Sequence, residues 1–340
     1  MGAAETMTVQ RSFIHRHIKW ILFFITIIFS VYTCAAIYYS TLEPNSLRLG
    51  ATALYALLCL ATLYLQKPKR QLAALCSLAI CFFIWFFTDT PRNTRDWAGE
   101  YAVLADAVQE GRIVHVKNIR NITYRSETDY TPHYYNADFN LDHLSSIDLV
   151  TSYWAGNSIA HVFLSFGFDD GRHLAVSIET RRQKKFGYST IAGFFHHYEL
   201  TYVTADERDL IGVRTDIRKE RVYLYRLNLS PQTREAVFKN YLNEIHLLTT
   251  QPRWYNTLMD NCTTEILARA NARPRYRLDW RILLSGYTAS LAYDLGLLDT
   301  HYDFATLHRL SRINRPENAT PDANYSNEIR ESLPFTLDNK

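Results

Sequence analysis

The 340-residue chain is poor in glycine, with 12 in all, and no group of them forms a phosphate-cradling loop. It contains no internal repeat, which excludes a repeat architecture. Its five cysteines nowhere take the paired spacing of a zinc site. It also lacks a strongly basic stretch over most of its length, so there is no electrostatic footprint for nucleic acid. Disorder is excluded by a 47% hydrophobic and 14% aromatic composition, enough to bury a real core. The length suits two domain-sized units of roughly 150 residues each.

The mean hydropathy of −0.19 averages two different populations. Residues 1–90 hold seven of the 37 Lys/Arg and three of the 34 acids, a net +4. The remaining 250 residues hold 30 and 31, a net −1, so the basic character belongs to the N-terminal quarter alone. That quarter contains three uncharged apolar runs, Trp20–Tyr39, Leu49–Leu65 and Gln71–Thr88. Each approaches the ~20 residues a helix needs to cross a bilayer. Trp20, Tyr38, Tyr39, Tyr64 and Trp85 lie near the run ends, as interfacial aromatics do. Arg11, Arg16 and Lys19 precede the first run, and Lys67, Lys69 and Arg70 separate the second from the third. The positive-inside rule then places the N-terminus and the second loop in the cytoplasm and everything after Thr88 on the other side. The first run is longer than the usual apolar stretch of a cleaved signal peptide, the alternative reading.

The expected organisation is a cytoplasmic tail over 1–19, three transmembrane helices over 20–88, and a juxtamembrane amphipathic helix over 89–111. An exported domain over 112–314 and a loose polar tail over 315–340 complete it. Trp97, Tyr101, Leu104 and Val108 carry the helical period before Gly111. The exported domain reads as α+β. Strands are expected at Ile113–Val116, Asn121–Tyr124, His161–Phe168, His173–Thr180, Leu200–Val203 and Arg221–Leu227. Helices are expected at Pro231–Thr249, Cys262–Ala270 and Arg281–Leu295, with a polar loop over Asp129–Asp142.

Four cysteines lie in the membrane runs, where they act as small hydrophobes. Cys262 alone belongs to the exported domain, where thiols normally pair. Three readings stand open: a buried inert thiol, a bond to another chain, or a nucleophile. Cys262 falls in the first turn of an expected helix that Asp260 or Asn261 can cap. Free amides and the helix dipole there favour a thiolate and suit an oxyanion. Elsewhere, the turn Asp169-Asp170-Gly171 joins two alternating strands. Setting apolar face on apolar face pairs Val162 with Ile178, Leu164 with Val176 and Phe166 with Leu174. The same register puts His161 opposite Glu179 on the other face, as either a solvent-facing pair or a base with its orienting group.

Several stretches here resemble the Lnb N-terminal periplasmic domain family. They are Ala160-His161-Val162-Phe163-Leu164-Ser165-Phe166, then Tyr255-Asn256-Thr257 and Asn261-Cys262-Thr263-Thr264. Asn118-Ile119-Arg120 with Tyr124-Arg125, Ser177-Ile178-Glu179-Thr180-Arg181 and Asp206-Glu207-Arg208-Asp209 are further similar stretches. The resemblance covers about Arg112 to Leu295. It implies a permuted papain-like (NlpC-type) domain with an antiparallel sheet and the nucleophile at a helix N-terminus. It assigns Cys262 as nucleophile, His161 as general base and Glu179 as third polar group, with Asn261 and Tyr255 as oxyanion or supporting residues. The family's namesake is a lipoprotein N-acyltransferase whose membrane helices follow the catalytic domain; here they precede it.

The expectation is therefore a thiol acyltransferase of the bacterial inner membrane, with its domain in the periplasm and no cofactor. Phospholipid would be the acyl donor, and lipoproteins or peptidoglycan further partners. Arg181 and Arg182 are candidates to meet a lipid phosphate. The adjacent His196-His197 point apart on a strand and make a poor metal pair. A cysteine amidase or endopeptidase acting on peptidoglycan, and a non-catalytic tethered binding domain, are the alternatives.

Overall fold

The computed structural model describes residues 2–65, 67–259, 262–270 and 279–334. The chain divides into two compact units: residues 1–91 with 191–197, and residues 92–190 with 198–340.

The first unit is built on three helices, α1 (Gly2–Tyr38), α2 (Asn45–Thr62) and α3 (Pro68–Thr88). Among the described residues, two segments are long and apolar enough to cross a membrane, Arg16–Tyr38 and Pro68–Thr88. The second expected span, Leu49–Leu65, falls on the middle helix, which is not one of these two: it begins on polar Asn45 and Ser46, includes Arg48 and stops at Thr62. Ile21, Phe24, Ile28 and Val31 are exposed along α1, as an apolar solvent requires. Phe82 is buried at the centre of an aromatic cluster with Phe29, Tyr32, Tyr55 and Phe86. The segment 191–197 belongs to this unit: Phe195 stacks on Tyr39 at 5.8 Å and His196 on Phe86 at 3.8 Å. His197 Nδ1 bonds the Tyr39 carbonyl at 2.6 Å.

The second unit is α+β. Its strands are β1 (Asp106–Glu110), β2 (Ile113–Arg120), β3 (Thr123–Tyr124), β4 (Tyr130–Thr131), β5 (Tyr134–Asn140), β6 (Leu144–Ala155), β7 (Ile159–Phe168), β8 (His173–Arg181), β9 (Glu199–Ala205) and β10 (Arg221–Arg226). The main sheet runs β1-β2-β9-β8-β7-β6-β10, with β5 on β2. Its pairs are antiparallel except for the single parallel contact Arg120↔Ala205. Helices α4 (Glu207–Leu210), α5 (Pro231–Thr250), α6 (Cys262–Arg269), α7 (Trp280–Leu283), α8 (Thr288–Asp294), α9 (Phe304–Leu310) and α10 (Tyr325–Glu328) complete it.

Both faces of the sheet are buried. On one, Val162, Leu164, Phe166, Val176 and Ile178 pack with Phe238, Tyr241 and Ile245 of α5. Ser230 caps that helix through the Thr233 amide, and Pro231 supplies its first turn. On the other face, Phe163, Ala175 and Val203 pack with Leu210, Ile313, Tyr325, Ile329 and Leu333.

Several expectations are corrected. Residues 97–110 form no amphipathic helix: Trp97 bridges to Gln183, a short 3-10 turn spans Gly99–Tyr101, and β1 follows. Gly111, at φ +61°, opens the two-residue β1–β2 hairpin turn rather than stopping a helix. The segment 129–142 supplies β4, which pairs with β3, and β5, where Tyr135, Ala137 and Phe139 alternate with polar residues against β2. The helix expected at Arg281–Leu295 is broken by a 3-10 turn, Ser285–Tyr287, where Gly286 lies against the backbone at Asn157 and Ser158. Over its described residues, 315–334, the tail is not loose: Arg315, Tyr325, Ile329, Arg330 and Leu333 are anchored on the second sheet face, Arg315 through Asp216.

Candidate active site

The β7–β8 hairpin has the expected register. Its ladder runs from Gly167↔His173 through Phe166↔Leu174 to Leu164↔Val176. Gly171, at φ +84°, makes the turn. His161 and Glu179 lie beyond the last rung, at the end of the hairpin away from the turn. His161 Nε2 is 3.6 Å from Glu179 Oε1, and both side chains are largely buried. The solvent-facing reading of this pair is thereby excluded, because the covered second face extends over it.

Ser177 lies between the two. His161 Nε2 is 2.5 Å from Ser177 Oγ, which donates to Glu179 Oε1 at 2.8 Å. Glu179 accepts two further bonds, from Arg214 to Oε1 at 3.0 Å and from the Tyr101 hydroxyl to Oε2 at 2.9 Å. Burial opposes its charge, yet His161 and the Arg214 guanidinium hold the carboxyl well below the ordinary glutamate range. Sequence reading missed Ser177, Arg214 and Tyr101. The first was discoverable, since i and i+2 share a strand face and Ser177 is diagonal to His161 in the register. The other two come from distant segments with no spacing signal.

Cys262 is the first residue of α6, which packs against β7 and β8. Glu265, one turn on, is buried and accepts the Tyr202 hydroxyl at 2.6 Å, with Arg269 3.3 Å away. These bonds fix the helix on the sheet. Asn261 and the capping candidate Asp260 lie outside the described residues. Burial alone would raise the Cys262 thiol, but interaction with His161, the Val162 backbone and Thr263 brings it below the ordinary thiol value. Burial likewise opposes charge on His161, and its electrostatic interaction with Cys262 and Glu179 overrides this, raising the imidazole to about 9. The favoured state of the pair is thiolate and imidazolium.

Cys262, His161 and Glu179 line one cavity of about 360 Å³ with Tyr255, Tyr101 and Arg182. Trp154, Tyr188, Arg214, Arg218, Glu127 and Glu220 extend its polar and aromatic wall. Arg182 is held by Glu100 and lies over the Tyr101 ring. Arg181 is not a cavity residue, which corrects its candidacy for substrate binding. Only 2% exposed, it bonds the Tyr101 and Ala102 carbonyls and Asn93 and stacks on Trp97. No group of three or more metal-ligating side chains occurs among the described residues.

Two of the other family-like stretches prove to be braces. Arg120 pairs in bidentate fashion with Asp209, which also accepts the Ile122 amide at 2.7 Å. Glu207 receives Ser165 and Arg330. These buried pairs tie β2, β7 and the C-terminal segment around the short helix α4.

No curated protein and no solved structure matches the chain. A domain of a periplasmic family accords with a membrane-associated periplasmic protein, as do the two apolar helices ahead of it. The stretches around His161, Glu179 and Cys262 all fall within residues 130–286, which match the family model of the Lnb N-terminal periplasmic domain.

Proposed function

We propose that the protein is a membrane-anchored periplasmic thiol acyltransferase acting on phospholipid acyl chains through an acyl-thioester on Cys262. The observation that carries the reading is the mutual perturbation of Cys262 and His161 inside one cavity. A depressed thiol beside a raised imidazole is the arrangement a cysteine nucleophile requires. The Cys262 thiolate attacks the ester carbonyl, and the carbonyl electrons move to oxygen. On collapse the C–O bond breaks, and the His161 imidazolium gives its proton to the departing glycerol oxygen. An acceptor amine or hydroxyl then attacks the thioester, passing its proton to His161 and restoring the thiolate. Glu179, held ionised by Arg214, balances the imidazolium charge throughout. Tyr255 forms part of the wall beside the sulfur. Lipoprotein amines fit the acceptor role.

The apolar helices support a lipid donor, because they keep the domain within reach of a bilayer and raise the effective concentration of its substrate. In the full topology of this reading all three helices cross the inner membrane, with the N-terminus cytoplasmic. The charged wall formed by Glu127, Arg182, Arg218 and Glu220 favours one second reading, a cysteine amidase or endopeptidase that admits polar peptidoglycan peptides.

Incubation of the protein with phospholipid, followed by mass spectrometry of the Cys262 peptide, tests the first reading. An added acyl mass is expected. Release of muropeptides without acylation supports the second. Undiminished function of Cys262→Ala overturns both.

A further inference from the structure

Ser177 is fully buried, and its single hydroxyl proton is directed at Glu179 Oε1, 2.8 Å away. A hydroxyl that donates there keeps only lone pairs for its other neighbour. That neighbour is His161 Nε2, at 2.5 Å, while Glu179 Oε1 itself lies 3.6 Å from the ring nitrogen, beyond hydrogen-bond range. The carboxylate therefore has no direct bond to the imidazole. Glu179 is in turn unable to act as donor, because Arg214 and Tyr101 both donate to it and keep it ionised.

We infer that Ser177 is the positioning residue of the thiol–imidazole pair, accepting Nε2–H of His161 and donating to Glu179, so that Nδ1 is the nitrogen left to exchange a proton with Cys262. The inference rests on the proposed reading of Cys262 as a nucleophile and deepens it. Glu179 becomes the charge behind the relay rather than the group that orients the ring. The direction of the proton chain follows from valence. An ionised carboxylate only accepts, the hydroxyl has one proton to give, and so Nε2 carries hydrogen in both the neutral and the cationic ring. Without the hydroxyl, Nε2–H is buried with no partner in range among the described residues, and the tautomer bearing hydrogen on Nδ1 becomes competitive. In that tautomer the ring is no base for the thiol.

The test is the pH dependence of iodoacetamide alkylation at Cys262 in the full-length, membrane-embedded protein, read on the Cys262 peptide by mass spectrometry so that the other four cysteines do not interfere. Thr and Val differ at position 177 only in the hydroxyl and have the same shape. Ser177→Thr is expected to keep the wild-type profile. Ser177→Val and Ser177→Ala are expected to move its inflection up by about one pH unit, a tenfold loss of thiolate on its acid side. Ala and Val remove the hydroxyl with opposite changes in volume, so a packing defect peculiar to one is exposed by the other. Val and Ala profiles that superimpose on wild type, while His161→Ala shifts, overturn the role of Ser177 and leave the nucleophile standing. A His161→Ala profile that also superimposes on wild type overturns the thiol–imidazole pair itself, and the inference with it.

Discussion

A thiol out of water ionises only where something opposes the cost of desolvation, and at Cys262 the opposing group is His161. The two depend on each other, and the pH behaviour follows. The reactive ion pair exists above the depressed pKa of the thiol and below the raised pKa of the imidazole. Turnover is expected to follow a bell whose acid limb lies below the ordinary thiol value of 9.0 and whose alkaline limb is near pH 9. A rate profile that keeps rising through pH 9 contradicts this. Stability carries the same signature. The folded-state pKa of His161 is raised from 6.5 to about 9, so its contribution is complete below about pH 6.5 and is lost as the pH climbs to about 9. Glu179 is depressed, so its contribution is present above about pH 4.5 and is lost as acid protonates it. Thermal melts of wild type and His161→Gln are therefore expected to differ most near pH 6 and to converge toward pH 9.

At the level of elements, the site depends on a few close approaches. Gly286 brings the 3-10 turn against the β6–β7 connection, where an added Cβ would come within 2.1 Å of the Asn157 carbonyl oxygen. Backbone cannot yield there as a side chain can, so Gly286→Ala is expected to cost about 2 kcal/mol by denaturant unfolding. Gly111, in open space but at φ +61°, marks a milder case, and Gly111→Ala is expected to cost about 1 kcal/mol. The two hairpins show what sequence reading can and cannot reach. Strands β7 and β8 alternate cleanly around an Asp/Gly turn, which made their register legible residue by residue. The stretch from Trp97 to Val108 carries a helical period, yet Ala107 and Val108 pair with Val116 and His115 across Gly111. Local period lost to the hydrogen-bond demand of a neighbouring strand. Strand β6 escaped reading altogether, because it is buried nearly throughout and shows no alternation.

Across the whole molecule, the C-terminal segment is part of the core of the second unit. Arg330 bonds Glu207 at 2.6 Å and Asp148 at 2.8 Å, all three essentially buried. Among the described residues, removing the guanidinium leaves Glu207 with no cation and Asp148 with Arg226 alone, so Arg330→Met is expected to destabilise the domain by ~3 kcal/mol. Truncation after Arg315 also removes Tyr325, Ile329 and Leu333 from the second core and is expected to yield an unfolded, protease-sensitive domain. A truncated protein as stable as wild type would refute this packing. The topology of the helices has its own test. A reporter active only outside the cytoplasm, fused at Lys67, is expected to be silent, and one fused after Thr88 to be active. The opposite pattern means that α2 does not cross.

Composition and short-range pattern determined a great deal: the apolar N-terminal quarter, the lone thiol at a helix start, the hairpin register that faces His161 toward Glu179, and the family those motifs resemble. All of these follow from chain-local physics, namely hydropathy, strand alternation and turn chemistry. Tertiary structure alone decided that the polar tail is core, that Arg181 is a brace rather than a ligand for substrate, and that Ser177, Arg214 and Tyr101 surround Glu179. Those outcomes turn on which buried charges and hydroxyls find partners, and the partners lie from two to 182 residues apart. No local period records such distances. Desolvation enforces them only once the chain has closed around the site.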